Sequence, residues 1–111
     1  MDTGIASYDL EQIKNVFAAN SSVREVILFG LRAMGNYRAS SDIDLAIVSL
    51  DDRLKFDDML DLGIQLEQLG FLYRFDLQYF NQIKNQDMID HIDRVGMLIY
   101  RRDVDKKTAV E

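Results

Sequence analysis

Apolar residues recur every three or four positions in three segments of the chain, as expected for amphipathic helices. This spacing places the apolar side chains of each segment on one face, which can then be buried against a core. Polar residues occupy the remaining positions, so each helix should also have a solvated face. The three predicted helices are Asp9–Ala19, Leu54–Leu69 and Asp87–Val95.

Four other segments are β-branched and apolar, or alternate between apolar and polar residues, which is typical of strands. The resulting order is helix, strand, strand, helix, strand, helix, strand. A mixed sheet with helices packed on it is the simplest fold for this order, so we expect an α/β (α+β) domain. The predicted strands are Val23–Phe29, Asp42–Ser49, Phe71–Phe80 and Met97–Tyr100.

The length of 111 residues suits one small domain with one modest core. We place this single domain at residues 1–111, with a core from about residue 9 to about residue 100. The final segment, Arg101–Glu111, is rich in charge and ends the chain. Because chain ends without apolar anchors are poorly ordered, we expect this segment to be a disordered tail.

Two aspartates, Asp42 and Asp44, stand two positions apart at the start of the second predicted strand. Strand side chains alternate between faces, so the two carboxylates point the same way. Because like charges repel and unpaired burial costs free energy, a divalent cation between them is the simplest explanation. The alternative is that one is a turn or N-cap residue and the other a surface carboxylate. Oxygen ligands without cysteine favour Mg²⁺ or Mn²⁺.

A third carboxylate, Asp76, lies in the third predicted strand, in a run that suggests burial. If this strand lies beside the second, Asp76 joins Asp42 and Asp44. Three carboxylates around two cations about 4 Å apart would bind a triphosphate and activate an attacking hydroxyl. Without a cation, three clustered carboxylates repel, so at least one should have a raised pKa. Alternatively, Asp76 pairs with Arg74, two positions earlier on the same face, and the two interpretations are compatible with each other.

The connection Gly30–Ser41 is rich in turn-forming residues and leads directly to the first aspartate. Gly30 either brings backbone amides close to a phosphate or simply allows a turn. Leu31–Met34 is predicted to form a short helical turn whose N-terminus faces an anion. Arg32 and Arg38 are candidate phosphate ligands by charge and donor geometry, although surface arginines are common.

The charge balance narrows the class of partner. Thirteen basic and nineteen acidic residues give a net charge of −6, whereas a general nucleic-acid binder usually carries a basic face. Long DNA or RNA is therefore disfavoured, while a small nucleotide delivered with a cation remains compatible. The chain has no cysteine and no pattern of a signal peptide or membrane span, so we expect a cytoplasmic protein without disulfides.

The motif residues resemble those of the minimal nucleotidyltransferases (MNT) of the DNA polymerase beta superfamily. That family has a Gly-Ser dipeptide at the end of a strand, Asp-x-Asp on the next strand and a third aspartate on a later strand. The resemblance extends from Val23 to Tyr100, nearly the whole chain. The corresponding positions here are Gly30-Leu31, Asp42-x-Asp44 and Asp76.

The resemblance implies a nucleotidyltransferase fold with two Mg²⁺ ions and a nucleoside triphosphate, often ATP, as donor. The implied reaction moves a nucleoside monophosphate onto a hydroxyl and releases pyrophosphate. Small members of the MntA antitoxin type add AMP to a tyrosine of a helical HEPN partner protein. The resemblance gives catalytic and metal-binding roles to Asp42, Asp44 and Asp76. It gives nucleotide-binding roles to Gly30, Leu31, Arg32 and Arg38.

The chain departs from the family at Leu31, which occupies the serine position and has no side-chain donor. The alternative to an active transferase is therefore a weak or inactive nucleotide-binding antitoxin that acts by binding its partner. A small-molecule transferase of the antibiotic-resistance kind is a third interpretation, but such enzymes usually carry an added helical domain. Self-association is left open by the sequence.

Overall fold

The structure, a computed structural model, describes residues 2–103. Its helices and strands follow the predicted order. None of the helices in this part of the chain is both long enough and apolar enough to cross a membrane. The elements are α1 (Ser7–Ala18), β1 (Val23–Phe29), α2 (Gly30–Met34), β2 (Ile43–Ser49), α3 (Phe56–Glu67), β3 (Phe75–Tyr79), a 3-10 turn (Phe80–Gln82), α4 (Gln86–Val95) and β4 (Met97–Arg101).

The four strands form one mixed sheet in the order β3-β2-β1-β4, which confirms the predicted fold class. β1 lies at the centre and pairs antiparallel with both β2 and β4, whereas β2 and β3 are parallel. The register places Asp44 between Phe29 of β1 and Asp76 of β3. The condition set for the third aspartate, that its strand lies beside the second, is therefore met.

The alternation of β2 divides its side chains between two different environments. Ile43, Leu45 and Ile47 are fully buried in the main core, which also contains the apolar faces of α1 and α3. Ala46 belongs instead to a small cluster with Phe29 and Ile92 of α4. Asp44, two positions before Ala46, shares its sheet face. The carboxylate site therefore lies on the less covered face.

The third strand is shorter than predicted, because Phe71–Phe80 was expected and only Phe75–Tyr79 is a strand. Its partner β2 begins at Ile43, which pairs with Phe75, so earlier residues have no strand beside them. The rings of Phe71 and Tyr73 contact each other edge-on, with centroids 5.6 Å apart. They pack against the main core, which explains why their aromatic pattern resembled that of a strand.

The disordered tail was predicted to begin at Arg101, but Arg101 and Arg102 are part of the ordered structure. Arg101 is the last residue of β4, and Arg102 is anchored by side-chain hydrogen bonds to backbone carbonyl oxygens, including that of Val23 at 2.8 Å. The sequence pattern could not show these contacts, because they join Arg102 to residues about eighty positions earlier. Residues 104–111 of the predicted tail lie outside the described residues.

Candidate active site

Asp44 is the centre of the candidate site. Asp44 is half-buried on β2, and Asp76 lies beside it on β3. Burial, followed by the negative charges of Asp76 and Asp42, raises the pKa of the Asp44 carboxyl to about 6. The expectation that clustered carboxylates would raise at least one pKa is thus confirmed. The three predicted aspartates interact electrostatically, with Asp44 as the member that the others affect.

Asp42 and Asp76 are both exposed, which corrects the expectation that all three carboxylates are buried. Asp76 lies on an edge strand of the sheet, and its Oδ1 accepts a hydrogen bond of 3.3 Å from Nε2 of Gln78. Arg74 is exposed, and no ion pair between it and Asp76 is present within residues 2–103. The alternative of a structural Arg74–Asp76 pair therefore gains no support.

The three carboxylates do not form a closed cage as they stand. Within residues 2–103, no group of three histidine, cysteine or acidic side chains is already arranged to hold a metal ion. The donor set nevertheless suits hard cations, because it consists of carboxylate oxygens. Burial and the charges of Asp76 and Asp42 raise the pKa of Asp44, and a bound cation would offset both effects. Exposed Asp42 and Asp76 have the freedom to turn toward a shared ion.

Gly30 follows β1 and begins α2 with φ at +75°. A Cβ atom at this position would overlap Oδ2 of Asp44. Both the backbone conformation and the close approach therefore require glycine. The sequence suggested a turn or a phosphate contact here, whereas the structure adds a third reason, which is space for the central carboxylate.

Leu31 and Arg38 lie where a ligand could reach them. Leu31 has 48% of its surface exposed in α2. Arg38 is exposed in the loop before Asp42, and its backbone N–H donates to Oγ of Ser41 at 2.8 Å. Their predicted nucleotide-binding roles stay predictions.

Arg32 has different surroundings from those expected of a phosphate ligand. Its side chain is 1% exposed, and its Nε, Nη1 and Nη2 atoms all donate to backbone carbonyl oxygens. A phosphate contact with the guanidinium would require some of these hydrogen bonds to break, because all three of its nitrogens already donate. No sequence pattern signals these contacts, because the carbonyl oxygen of Thr3 and the ring of Tyr73 come from distant segments.

His91 of α4 lies near the carboxylates, although the sequence did not assign it to the site. Its ring meets the ring of Phe29 edge-on, with centroids 6.1 Å apart. Phe29 is the register partner of Asp44, so the half-buried His91 lies on the sheet face of the carboxylates. In the sequence, His91 stands between Asp90 and Asp93, which by itself indicates only a partly exposed helix position.

The main cavities of the described residues are lined by side chains other than the three aspartates. A cavity of about 470 Å³ does exist, but α3 and β3 line it with residues such as Ile64, Phe75 and Leu77. Phe75 and Leu77 contact the main core, on the face opposite Asp44. This cavity and the carboxylate cluster are therefore separate places on the molecule.

Comparison with known proteins gives a family and a fold. Residues 11–105 match the sequence model of the family described as "Polymerase beta, Nucleotidyltransferase". No functionally curated protein matches the chain.

Several solved structures share the fold. A toxin–antitoxin structure with AMP-PNP has 20% identity and a TM-score of 0.68, covering 89% of this chain and 78% of the other. A complex named MntA-HepT has 18% identity and a TM-score of 0.64, covering 93% and 79%. An MNT antitoxin complex with tri-AMPylated HEPN toxin from Shewanella oneidensis has 17% identity and a TM-score of 0.63, covering 91% and 76%.

Proposed function

Because the chain belongs to the polymerase beta nucleotidyltransferase family, we propose that it transfers a nucleoside monophosphate from a triphosphate to a hydroxyl group. The observation that carries this proposal is the register of Asp44 beside Asp76, with the pKa of Asp44 raised by burial and by the neighbouring carboxylates. Clustered carboxylates on an open sheet face suit a phosphate-bearing ligand only when cations neutralise the repulsion. We infer that ATP is the donor and Mg²⁺ or Mn²⁺ the cation.

Asp42, Asp44 and Asp76 are the residues that would hold the cations. Two bound ions would offset the charge of the triphosphate and make the acceptor hydroxyl more acidic. Asp44 is the shared ligand in this proposal, since it lies beside Asp76 and two residues after Asp42. Its raised pKa means that binding must remove a proton below about pH 6.

The transfer step uses Asp76 as the acceptor of a proton. The oxygen of the attacking hydroxyl forms a bond to the α-phosphorus, and the bond from that phosphorus to the bridging oxygen breaks. Pyrophosphate leaves, and the hydroxyl proton passes to the carboxylate of Asp76. An exposed position on an edge strand allows this carboxylate to meet an acceptor that approaches from another molecule.

The nucleotide would lie along the start of α2 and the loop before Asp42. The backbone at Gly30 comes close to Asp44, so phosphate oxygens bound near one are near the other. Arg38 is exposed in the same loop and supplies a positive charge for the triphosphate. Leu31 offers only its backbone N–H and an apolar side chain.

The acceptor in this proposal is a tyrosine of a HEPN partner protein in the cytoplasm, and the chain acts as an antitoxin. Structures with the same fold include an MNT antitoxin with an AMPylated HEPN toxin, which is the support for this choice. The net charge of −6 argues against a long nucleic acid as acceptor.

The test of function measures transfer of label from α-labelled ATP to the product of the neighbouring gene, the proposed HEPN partner, with Mg²⁺ or Mn²⁺. We expect labelling by the wild type and none by Asp44→Asn. The control is Asp93→Asn, which removes an exposed carboxylate from α4. Labelling that persists in Asp44→Asn would show that the carboxylates are not the catalytic centre.

A thermal unfolding measurement tests binding without a partner. Mn²⁺ with ATP should raise the unfolding temperature of the wild type and of Asp93→Asn, because a ligand that binds only the folded state stabilises it. Asp44→Asn should lose this increment. A wild type that shows no increment with either cation would contradict the proposed metal–nucleotide site.

A non-catalytic antitoxin is the second candidate, and Leu31 favours it. The family's serine hydroxyl is missing, and the leucine in its place is 48% exposed, available to contact a partner. Leu31→Ser decides between the two. In a transferase, one restored donor to a charged phosphate should raise ATP affinity or transfer rate by roughly tenfold.

The matched control for this change is Met34→Ser, which alters another exposed apolar residue of α2. It should leave ATP affinity unchanged. Unchanged ATP affinity in Leu31→Ser, together with weaker binding to the HEPN protein, would favour the non-catalytic antitoxin.

A further inference from the structure

Arg32 is almost completely buried, and its guanidinium is surrounded by backbone carbonyl groups. Its Nε donates to the carbonyl oxygen of Ser41 at 3.0 Å, and its Nη2 donates to that of Ala39 at 3.2 Å. Its Nη1 donates to the carbonyl oxygen of Thr3 at 3.0 Å. Within residues 2–103, Arg32 forms no ion pair. The buried charge is therefore balanced by backbone dipoles.

Two aromatic rings hold the guanidinium in place. Its central carbon lies 5.2 Å from the ring centre of Tyr37 and 5.3 Å from that of Tyr73. Tyr73 is itself fixed, because its hydroxyl donates to the carboxylate of Asp9 at 3.0 Å. A planar guanidinium fits between rings and donates in several directions at once, which a lysine ammonium does not. The side chain of Arg32 is therefore fixed in position, and its hydrogen bonds hold the neighbouring backbone.

The backbone that Arg32 holds leads straight to Asp42. Ser41 precedes Asp42, and the next residue, Ile43, is fixed from the other side by a 2.7 Å bond from its N–H to the carbonyl oxygen of Arg74. Asp42 thus lies between two fixed points, while its own side chain is exposed. Its direction depends on the backbone that carries it.

We propose that Arg32 is a positioning residue, which holds the Ala39–Ser41 backbone so that the Asp42 carboxylate faces the ligand site shared with Asp44. The proposal rests on the proposed function, since it assigns Asp42 to that site. It gives Arg32 a role without contact to the nucleotide.

The chain contains a second arginine of the same kind, which serves as a matched control. Arg102 donates to the carbonyl oxygens of Val23 at 2.8 Å, Asn20 at 2.8 Å, Ala18 at 3.0 Å and Phe17 at 3.4 Å. Its guanidinium also lies 5.7 Å from the ring centre of Tyr100. Arg102 acts at the start of β1, whereas Arg32 acts beyond its end, about 20 Å away at the rise per residue of a strand.

The experiment compares Arg32→Met with Arg102→Met in the full chain, under conditions where urea unfolding shows each to be folded. Both should be less stable than the wild type, because both leave carbonyl groups without donors. Only Arg32→Met should weaken the binding of Mn²⁺–ATP, by tenfold or more in calorimetry. Arg102→Met should stay within twofold of the wild type. Equal losses, or no loss in Arg32→Met, would overturn the proposal.

A second measurement is independent of nucleotide binding. Hydrogen exchange at the amides of Ser41 and Ile43 should become at least tenfold faster in Arg32→Met and stay unchanged in Arg102→Met. Slow exchange at both amides in Arg32→Met would refute the role of Arg32 whatever the chain binds. If instead exchange behaves as expected and the wild type does not bind Mn²⁺–ATP, the proposed function fails and the backbone role of Arg32 stands.

Two further variants cover the case in which Arg32→Met does not fold. Arg32→Lys keeps the charge but cannot reach several carbonyl groups from one nitrogen. Tyr37→Ala keeps Arg32 and removes one of its two rings. Each should weaken Mn²⁺–ATP binding by threefold or more and speed exchange at Ser41. Wild-type affinity and wild-type exchange in both would contradict the positioning role.

Discussion

The two faces of the sheet differ in how they use alternate residues of the same strand. On one face, Ile43, Leu45 and Ile47 are completely buried beneath α1 and α3. On the other, Ala46 has a small apolar cluster around it, and Asp44 stands where another core residue would fit. Apolar burial on the first face stabilises the fold. That stabilisation offsets the cost of keeping carboxylates close together on the second face.

The difference shows how a chain of this size can carry a charged site. Burial of the Asp44 carboxylate, together with the negative charges of Asp76 and Asp42, lowers the stability of the metal-free protein once Asp44 is ionised. A continuous core on the opposite face offsets that cost without sharing any side chain with the site. Substitutions on the covered face should therefore lower stability and leave ligand binding intact. Replacing the central carboxylate should instead remove ligand binding and raise the stability of the metal-free protein.

The largest expected effect is on the covered face. Leu45→Ala should lower the free energy of unfolding by about 3 kcal/mol, because it leaves a cavity among fully buried side chains. The control Leu98→Ala, at an exposed position of β4, should cost under about 1 kcal/mol. Urea unfolding measures both. Folded Leu45→Ala should still bind Mn²⁺–ATP, and loss of binding would show that the faces are not independent.

A smaller effect is expected at Gly30. Gly30→Ala should destabilise by about 2–3 kcal/mol, from the positive φ and from overlap with Asp44. Gly35→Ala is the matched control, because Gly35 has φ of +81° and open space where the added methyl group would lie. It should cost about 1 kcal/mol, for the backbone conformation alone. Only Gly30→Ala should lose Mn²⁺–ATP binding, as judged by calorimetry. Equal effects would mean that the contact with Asp44 is unimportant.

Removing the central carboxylate should stabilise the metal-free chain. The pKa of Asp44 in the folded state is about 6, above the ordinary value of 3.8. The stability contributed by its protonated form is therefore complete below about pH 4 and is lost as pH rises through about 6. Above pH 7, Asp44→Asn should be more stable than the wild type by about 1–2 kcal/mol, after allowance for the partial exposure of the carboxyl.

Urea unfolding from pH 4 to pH 8 checks this third expectation. The advantage of Asp44→Asn should grow as the pH rises and should be absent from Asp93→Asn. Asp76→Asn should give a smaller gain, since Asp76 is exposed. A loss of stability in Asp44→Asn at pH 8 would point to a structural role for this carboxylate.

The sequence predicted the elements and the alignment of the carboxylates because both depend on local pattern. Alternation predicted Asp42 and Asp44 on one side of a strand, although β2 begins at Ile43 and Asp42 precedes it. The element order favoured one mixed sheet. The register of Asp44 beside Asp76 also required that β3 lie next to β2 with this alignment, which the local pattern does not set. Exposure was harder to predict, since a carboxylate on an edge strand has the same local pattern as one at the centre.

The role of Arg32 was not predictable from pattern. Its surroundings combine Thr3 near the chain start, the loop at Ala39–Ser41 and the ring of Tyr73. No spacing rule connects these segments, and a positive charge beside a glycine turn suggests a phosphate. The same reason explains Arg102, which was assigned to a charged tail although it bonds to the start of β1.

The sheet order has a consequence for folding of the chain during its synthesis on the ribosome. β1 is among the first elements synthesised, yet one of its two neighbours, β4, is the last strand of the sheet to be made. Until residues 97–102 have left the exit tunnel, one edge of β1 has no partner, and the carbonyl groups that Arg102 binds lack that donor. Nascent chains that stall before this point expose an apolar strand edge, which is a surface that chaperones recognise and that favours aggregation.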